Sequence, residues 1–365
     1  MSSSVLVTGA TGHLGTYVAR ALLNRPDTRV VALVRADDDA HLAKRLAKLR
    51  ARVGVEDDRL TAVRGDVTEP GLGMAELPDV DSIVHSAASI RFDVPAEEIA
   101  VQNVQGTLHV LDVARRLADA GRLDRLDYVG TCYIAGSRRG RVYEHECDVG
   151  QGFRNTYEQS KCRAETVVRV AQSGGLPVAI HRPSIIVGEQ QTGATRAFNV
   201  IYGPLRSYIK GGWTLVPGNP DALIDLVPVD WVAAAIARLQ GDPASIGGCY
   251  HLAVGDKAPT MLQMMSWIQE ASGARPLRYM DQDFYFRWIR PWLSPFFWTK
   301  RGKMIERGAM AYMPYFKGNP LFDTTQASAL LADLPPPSVE DYLTAVVRFA
   351  MEQDFGRKPG ATGRD

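Results

Sequence analysis

The chain has 365 residues, 45% of them hydrophobic and 23% charged, which suits a large buried core and excludes intrinsic disorder for most of its length. Lys and Arg number 42 against 41 Asp and Glu, so a formal charge of +1 offers no basic field for nucleic acid. Four cysteines with no CxxC pair exclude a disulfide scaffold and a zinc ribbon, and fit small side chains in a reducing compartment.

Val5-Leu6-Val7 is an apolar run closed by Thr8-Gly9. Leu14, Val18, Ala21 and Leu22 then recur on one helical face, and residues 30–34 form a second apolar run. Strand, glycine turn, helix and strand make a βαβ unit. The alternation continues with strands predicted at 60–63, 82–85 and 126–129, helices at 98–118 and 155–171, and strands at 178–180 and 185–187. These strands are continuous apolar runs, as expected of a parallel sheet covered on both faces. Beyond Gly188, Gly, Pro and aromatic residues become frequent, and only 226–239 and 249–254 return to the earlier rhythm. The expected class is α/β: a Rossmann-type doubly wound parallel sheet with a smaller, mixed C-terminal substrate-binding region.

Residues 279–316 are rich in aromatics, among them Tyr279, Phe284, Tyr285, Phe286, Trp288, Trp292, Phe296, Phe297, Trp298, Tyr312, Tyr315 and Phe316. Arg287, Arg290, Lys300, Arg301, Lys303 and Arg307 interleave with them. The plain reading is an aromatic lid packed on the core. The functional reading is an apolar substrate channel, or a membrane-surface patch over 284–316. The N-terminus shows no signal-peptide pattern and no stretch approaches the roughly 18 apolar residues of a spanning helix, so the expected address is the cytoplasm, with peripheral membrane contact as the addition.

Gly9-Ala10-Thr11-Gly12-His13-Leu14-Gly15 spaces its glycines three apart between a strand and a helix. The turn needs a residue without Cβ, close approach to a pyrophosphate needs another, and the helix start offers N–H groups to the anion. Gly9, Thr11, Gly12, His13, Leu14 and Gly15 are therefore read as dinucleotide-binding. The second strand ends at Arg35 rather than at the acidic residue that would hold the ribose hydroxyls of NAD, and Arg45 follows on the next helix. A guanidinium grips a 2′-phosphate that a carboxylate would repel, so the expected cofactor is NADPH, although Asp37 to Asp39 cluster nearby.

Tyr157 and Lys161 stand four apart, on one face of a predicted helix. A free phenol titrates near about 10, and an adjacent ammonium is expected to lower that value so that Tyr157 donates a proton as hydride arrives at a carbonyl. Both residues are expected at the nicotinamide end of the cofactor, with Lys161 on its ribose. Thr131, just past a strand end, is placed to orient the carbonyl oxygen. Asn103 is read as a proton relay through water towards Lys161, or else as an amide serving local backbone. His85, at a strand end, is read as structural. Without HExxH or a ligand cluster among seven histidines, no metal is expected.

Together these residues resemble the extended short-chain dehydrogenase/reductase superfamily. The resemblance rests on Thr8 to Gly15, Gly65-Asp66-Val67, His85-Ser86-Ala87-Ala88, Asn103-Val104-Gln105-Gly106-Thr107, Tyr157 with Lys161, and Arg182-Pro183-Ser184-Ile185-Ile186-Val187-Gly188. It implies that Asp66, Val67, Ser86, Ala87, Ala88, Pro183, Ser184 and Ile185 also contact the cofactor. Leu33-Val34-Arg35-Ala36 and the segments Ala87 to Asp93 and Val227 to Val232 are similar to the thioester reductase and fatty acyl-CoA reductase (male sterility-like) branch. That branch implies NADPH-dependent reduction of an acyl thioester, on CoA or a carrier protein, to an aldehyde or alcohol. Thr131 and Tyr157 would stabilise the oxyanion. The family's Ser-Thr-Ala-Tyr is here Gly130-Thr131-Cys132-Tyr133, which keeps the threonine, and the likeness thins beyond Asp256.

The change of rhythm after Gly188 divides the chain into an expected NADP-binding domain over 1–190, rejoined by 226–254, and a substrate-binding or lid region over 191–225 and 255–355, and the Gly- and charge-rich tail over 356–365 is expected to be disordered. With no adenylation or carrier segment in the sequence, the thioester is expected from a separate partner. The oligomeric expectation is a monomer, or a homodimer formed through the helices at 98–118 and 155–171. Two other readings stand beside the thioester one. An extended-family enzyme acting on a ketone, sterol or nucleotide-sugar keeps the same fold and Tyr/Lys pair. A non-catalytic NADP(H) sensor would have little use for Tyr157 and Lys161.

Overall fold

The computed structural model describes residues 3–55, 58–74, 76–91, 94–211, 214–299, 303, 310 and 313–357, the side chains of 294–297 excepted. Phe92 and Asp93, Lys300, Arg301, Arg307, Tyr312, the side chains of Phe296 and Phe297, and the tail from 358 lie outside the described residues.

The first half alternates as its apolar runs predict. In chain order come β1 (Ser3–Thr8), α1 (His13–Leu23), β2 (Thr28–Val34), α2 (Asp39–Val53), β3 (Leu60–Arg64) and β4 (Ser82–His85). After these, α3 (Ala96–Ala100) and α4 (Gly106–Asp119) lead to β5 (Arg125–Val129), the short β6 (Arg141–Val142), α5 (Thr156–Ser173) and β7 (Val178–Pro183). The second half holds β8 (Ile185–Val187), α6 (Tyr202–Ile209), β9 (Leu215–Pro217), β10 (Leu226–Pro228), α7 (Val229–Gln240) and β11 (Cys249–Leu252). It continues with α8 (Met261–Ser272), β12 (Arg278–Met280), β13 (Leu321–Phe322) and a long helix, Val339–Glu352.

Seven strands form one parallel sheet in the order β3-β2-β1-β4-β5-β7-β11. The reason lies in the residues of β1: Val5 and Val7 enter one apolar cluster with α1, α2 and α7, while Leu6 enters another with α4 and α5. A strand buried on both faces needs helices on both, which is the doubly wound arrangement. The strand order reverses between β1 and β4, and ligands of such sheets bind outside the strand ends at that switch point. Residues 226–254 supply α7, packed on α1's side, and β11, the edge strand beside β7.

Several features depart from the linear reading. Residues 185–187 do not extend the sheet: after Ser184 the chain leaves it, and β8 pairs with β10 instead. The Ser184 hydroxyl donates to Asp225, whose carboxylate also accepts from Val254 N at 3.0 Å and Gly255 N at 2.9 Å. Two further two-stranded sheets, β9 with β12 and β6 with β13, join segments far apart in sequence. The helix predicted at 98–118 contains a π turn, Val101–Gln105, between α3 and α4. π turns inside helices often mark functional sites.

Candidate functional site

One cavity of about 610 Å³ opens at the strand ends and meets the glycine turn, the Tyr157–Lys161 pair and residues of α6 and α8. Gly9 sits at φ +73, and a Cβ there would lie 2.8 Å from Ala87 N. A Cβ on Gly15 would lie 2.1 Å from the Gly9 carbonyl oxygen, and one on Gly12 would lie 3.0 Å from it. Only glycine leaves the turn this tight. Gly12 also begins α1 with no side-chain cap, which leaves the helix's first N–H groups for an anion. The cradle therefore fits a dinucleotide pyrophosphate. Thr11, His13, Leu14, Asp66, Val67, Ser86, Ala87, Ala88, Pro183, Ser184 and Ile185 line the same cavity.

The wall behind the turn is a directed hydrogen-bond chain. Thr107 Oγ1 donates to the Asn103 carbonyl at 2.6 Å, so it accepts from His85 Nε2 at 3.1 Å. His85 Nδ1 then accepts from Thr8 Oγ1 at 2.7 Å, and Thr8 accepts from Ala87 N at 3.2 Å. Burial, with Lys161 nearby, pushes the His85 imidazole down to about 3. It stays neutral and structural.

Arg35 and Arg45 both line the cavity. The Arg35 side chain is 70% exposed, with Nη1 3.9 Å from Asp66, and Arg45 donates to the Arg35 carbonyl. Two of the neighbouring acids are engaged elsewhere: Asp38 caps α2 by accepting from His41 N at 2.7 Å, and Asp37 pairs with His41 Nδ1 at 3.0 Å.

Asn155 caps α5, its side chain accepting from Glu158 N at 2.9 Å, and this sets Tyr157 in the first helical turn. Lys161 follows one turn later, buried, and donates to the Val129 carbonyl at 2.8 Å while lying 4.5 Å from the Tyr128 ring centroid. Burial lowers its ammonium to about 8, against the opposing pull of Glu165. The Thr131 hydroxyl accepts from Tyr133 N at 3.2 Å, donates to Pro183 O at 3.3 Å, and is hydrogen-bonded to Tyr157.

Two expectations need correction. Tyr157 is not held low by Lys161: burial pushes the phenol up to about 12, the Thr131 hydrogen bond opposes that and Glu158 adds to it. Asn103 does not line the cavity, and the described partners of its side chain are Ser89 and Ser160 rather than Lys161. Its amide donates to Ser89 O at 3.0 Å and Ser160 Oγ at 2.9 Å, and its carbonyl accepts from Ser89 N at 2.7 Å. It clamps the 86–89 loop to α5, which is the structural alternative.

The sequence reading placed Tyr279, Tyr315 and Phe316 in a segment read as a lid or an apolar channel, but it missed what α8 adds to the far wall. Met261, Met264, Met265 and Ile268 of α8 line the cavity, with Tyr133, Tyr208, Tyr279, Tyr315 and Phe316. The i, i+3, i+4, i+7 spacing on α8 is a legible signal of an apolar face, but not of what that face meets. Tyr315 ties its segment to the first turn of α5. Its hydroxyl donates to Glu158 at 2.7 Å and accepts from Asn155 Nδ2 at 2.9 Å, with the Arg154 guanidinium 4.7 Å from its ring centroid. The aromatic segment thus divides: Tyr279, Tyr315 and Phe316 face the cavity, whereas Trp292 is 85% exposed and Trp298 76%. Among the described residues there is no cluster of metal-ligating side chains, and no helix is long and apolar enough to cross a membrane.

Comparison with known proteins agrees with this geometry. The terminal R domain of the myxalamid PKS-NRPS biosynthetic pathway aligns with TM-score 0.81 and 28% identity, over 98% of this chain and 92% of that one. The nonribosomal peptide synthetase asaC of Aspergillus flavus is 30% identical over 269 residues, 68% of this chain and 26% of its own length. The large subunit of the L-2-aminoadipate reductase of Penicillium chrysogenum is 30% identical over 267 residues, 67% of this chain but 19% of its own length. The chain therefore spans about a quarter of the first relative and about a fifth of the second. Residues 7–236, from the end of β1 through most of α7, match the family model described as male sterility protein, and the chain belongs to that family of NAD(P)-binding domains within the extended short-chain dehydrogenases/reductases.

Proposed function

We propose that the protein is an NADPH-dependent reductase that converts an acyl thioester, carried on CoA or on a carrier protein, to an aldehyde or onward to an alcohol. The observation that supports it most is the shared cavity: the glycine turn borders one part, an apolar chamber the other, and Thr131, Tyr157 and Lys161 stand in its wall. The likeness to the myxalamid R domain supports the thioester over other carbonyls. On this reading the residues before 190 hold the dinucleotide, and 191–225 with 255–355 wall the acyl group.

NADPH, when bound, supplies the hydride. The chain's own residues manage charge and protons. On this reading Thr131 turns its hydroxyl proton from Pro183 O, 3.3 Å away, to join the Tyr157 hydroxyl at the substrate carbonyl oxygen, where negative charge develops. With its phenol pushed up to about 12, Tyr157 keeps its proton at neutral pH and acts as a donor. Departure of the thiol then leaves an aldehyde. Lys161, anchored on the Val129 carbonyl, keeps a positive charge beside the site.

Two results follow. First, kcat/KM falls as pH rises through about 8, because the buried Lys161 ammonium is lost there while Tyr157 is still protonated. A Lys161→Arg variant lacks this basic limb; an unchanged limb would assign it to another group. Second, Arg35→Asp lowers the preference for NADPH over NADH by at least ~10-fold, the loss of one charge-assisted phosphate contact, read from the two Kd values. The parent experiment follows NADPH oxidation with a long-chain acyl-CoA and with the matching aldehyde. Oxidation with the thioester supports the reading, and activity confined to the aldehyde overturns it.

A further inference from the structure

We propose that the acyl group this protein takes is uncharged and apolar, and that the methionine face of α8 selects it. The inference rests on the thioester reading and names its substrate class. The charged side chains lining the cavity, Arg35, Arg45, Asp66 and Lys161, all belong to the dinucleotide half. His13 adds no charge, because burial and Arg196 push its imidazole down to about 4. From Pro183 to Leu343, no Asp, Glu, Lys, Arg or His lines the cavity among the described residues.

What lines that half instead is apolar and adaptable. Met261, Met264, Met265 and Ile268 are each less than a tenth exposed and line the cavity. Val216, Ile224 and Leu277 line it with them. Unbranched thioethers adjust to chains of different shape. The Tyr208 hydroxyl is committed to the Arg275 carbonyl at 2.6 Å. The Tyr279 hydroxyl is buried without a hydrogen-bond partner and pushed up to about 12, so it is a neutral donor. Apart from the Asn199 amide, which also lines it, such a wall can serve an uncharged oxygen but holds, among the described residues, no charge to pair with an ammonium or carboxylate, whose burial unpaired is strongly unfavourable.

The test separates binding from turnover. The probes are acylated aminopantetheines, in which NH replaces the thioester sulfur and reduction is blocked, titrated calorimetrically into the full chain with NADP+ present. Affinity for hexanoyl, octanoyl and decanoyl forms should rise roughly 3- to 4-fold per methylene until the chamber is full. An ω-carboxylate or ω-ammonium on the octanoyl chain should weaken binding at least ~100-fold. Equal or tighter binding of either charged form overturns the proposal. Met264→Phe should shift the best chain to a shorter one at unchanged NADPH affinity, which also reports folding; an unmoved profile overturns the role of α8. Apolar selectivity without reduction of the matching thioesters would leave this inference standing and sink the thioester reading instead.

Discussion

Tyr157→Phe should lower turnover of the proposed thioester substrate roughly a thousandfold while NADPH affinity changes by less than about threefold. The substitution removes one oxygen from a ring that lines the cavity without filling it, so the first turn of α5, capped by Asn155, keeps its shape. What is lost is the hydroxyl that shares the Thr131 hydrogen bond and holds a proton up to about 12. A Thr131→Val variant should fall less far, since Tyr157 still donates, but its loss should not add fully to that of Tyr157→Phe because the two hydroxyls touch. Single-turnover rates at saturating NADPH check this. A phenylalanine variant within tenfold of the parent would remove Tyr157 from the proton-donor role.

Glu165→Gln should destabilise the fold by about 3–5 kcal/mol at neutral pH, the range expected when a fully buried ion pair loses one partner. Glu165 and Arg182 are both wholly buried. Arg182 also donates to the Glu146 carbonyl at 2.6 Å and meets His251 Nε2 at 3.0 Å, so the guanidinium cannot turn to water when its carboxylate goes. Burial pushes the Glu165 carboxyl up, but Arg182 and Arg169 outweigh it and hold it below its ordinary 4.5. The stabilisation is therefore present above pH 4.5 and fades as pH falls through the lower folded value. Urea unfolding at several pH values reads both effects: a large loss at pH 7 and a smaller gap between variant and parent in acid. A loss under about 1 kcal/mol at pH 7 would mean that Arg182 finds other partners. The same substitution reaches the chemistry, because Glu165 supports the Lys161 ammonium from the next turn of α5. The basic limb of the pH–rate profile should move below about 8 in Glu165→Gln.

How far each feature could be read in advance follows from its range along the chain. The βαβ alternation was legible because period and apolarity are local properties, and Val5, Leu6 and Val7 already state a strand covered on both faces. The glycine turn was legible because a Cβ at position 15 collides with an atom only six residues away. The shared face of Tyr157 and Lys161 was legible because helix geometry alone sets it. The role of Asn103 was not, since its partners Ser89 and Ser160 lie 14 and 57 residues away.

The sequence by itself determined the sheet, the glycine turn and the shared helical face of Tyr157 and Lys161, all consequences of backbone sterics and short-range periodicity. Only the tertiary structure decided that Tyr157 is governed by burial more than by Lys161, that Tyr315 reaches back to Glu158, and that the α8 methionines border a cavity. An apolar side chain carries the same signature whether it meets another side chain or a substrate. The difference lies in what the rest of the fold leaves opposite it.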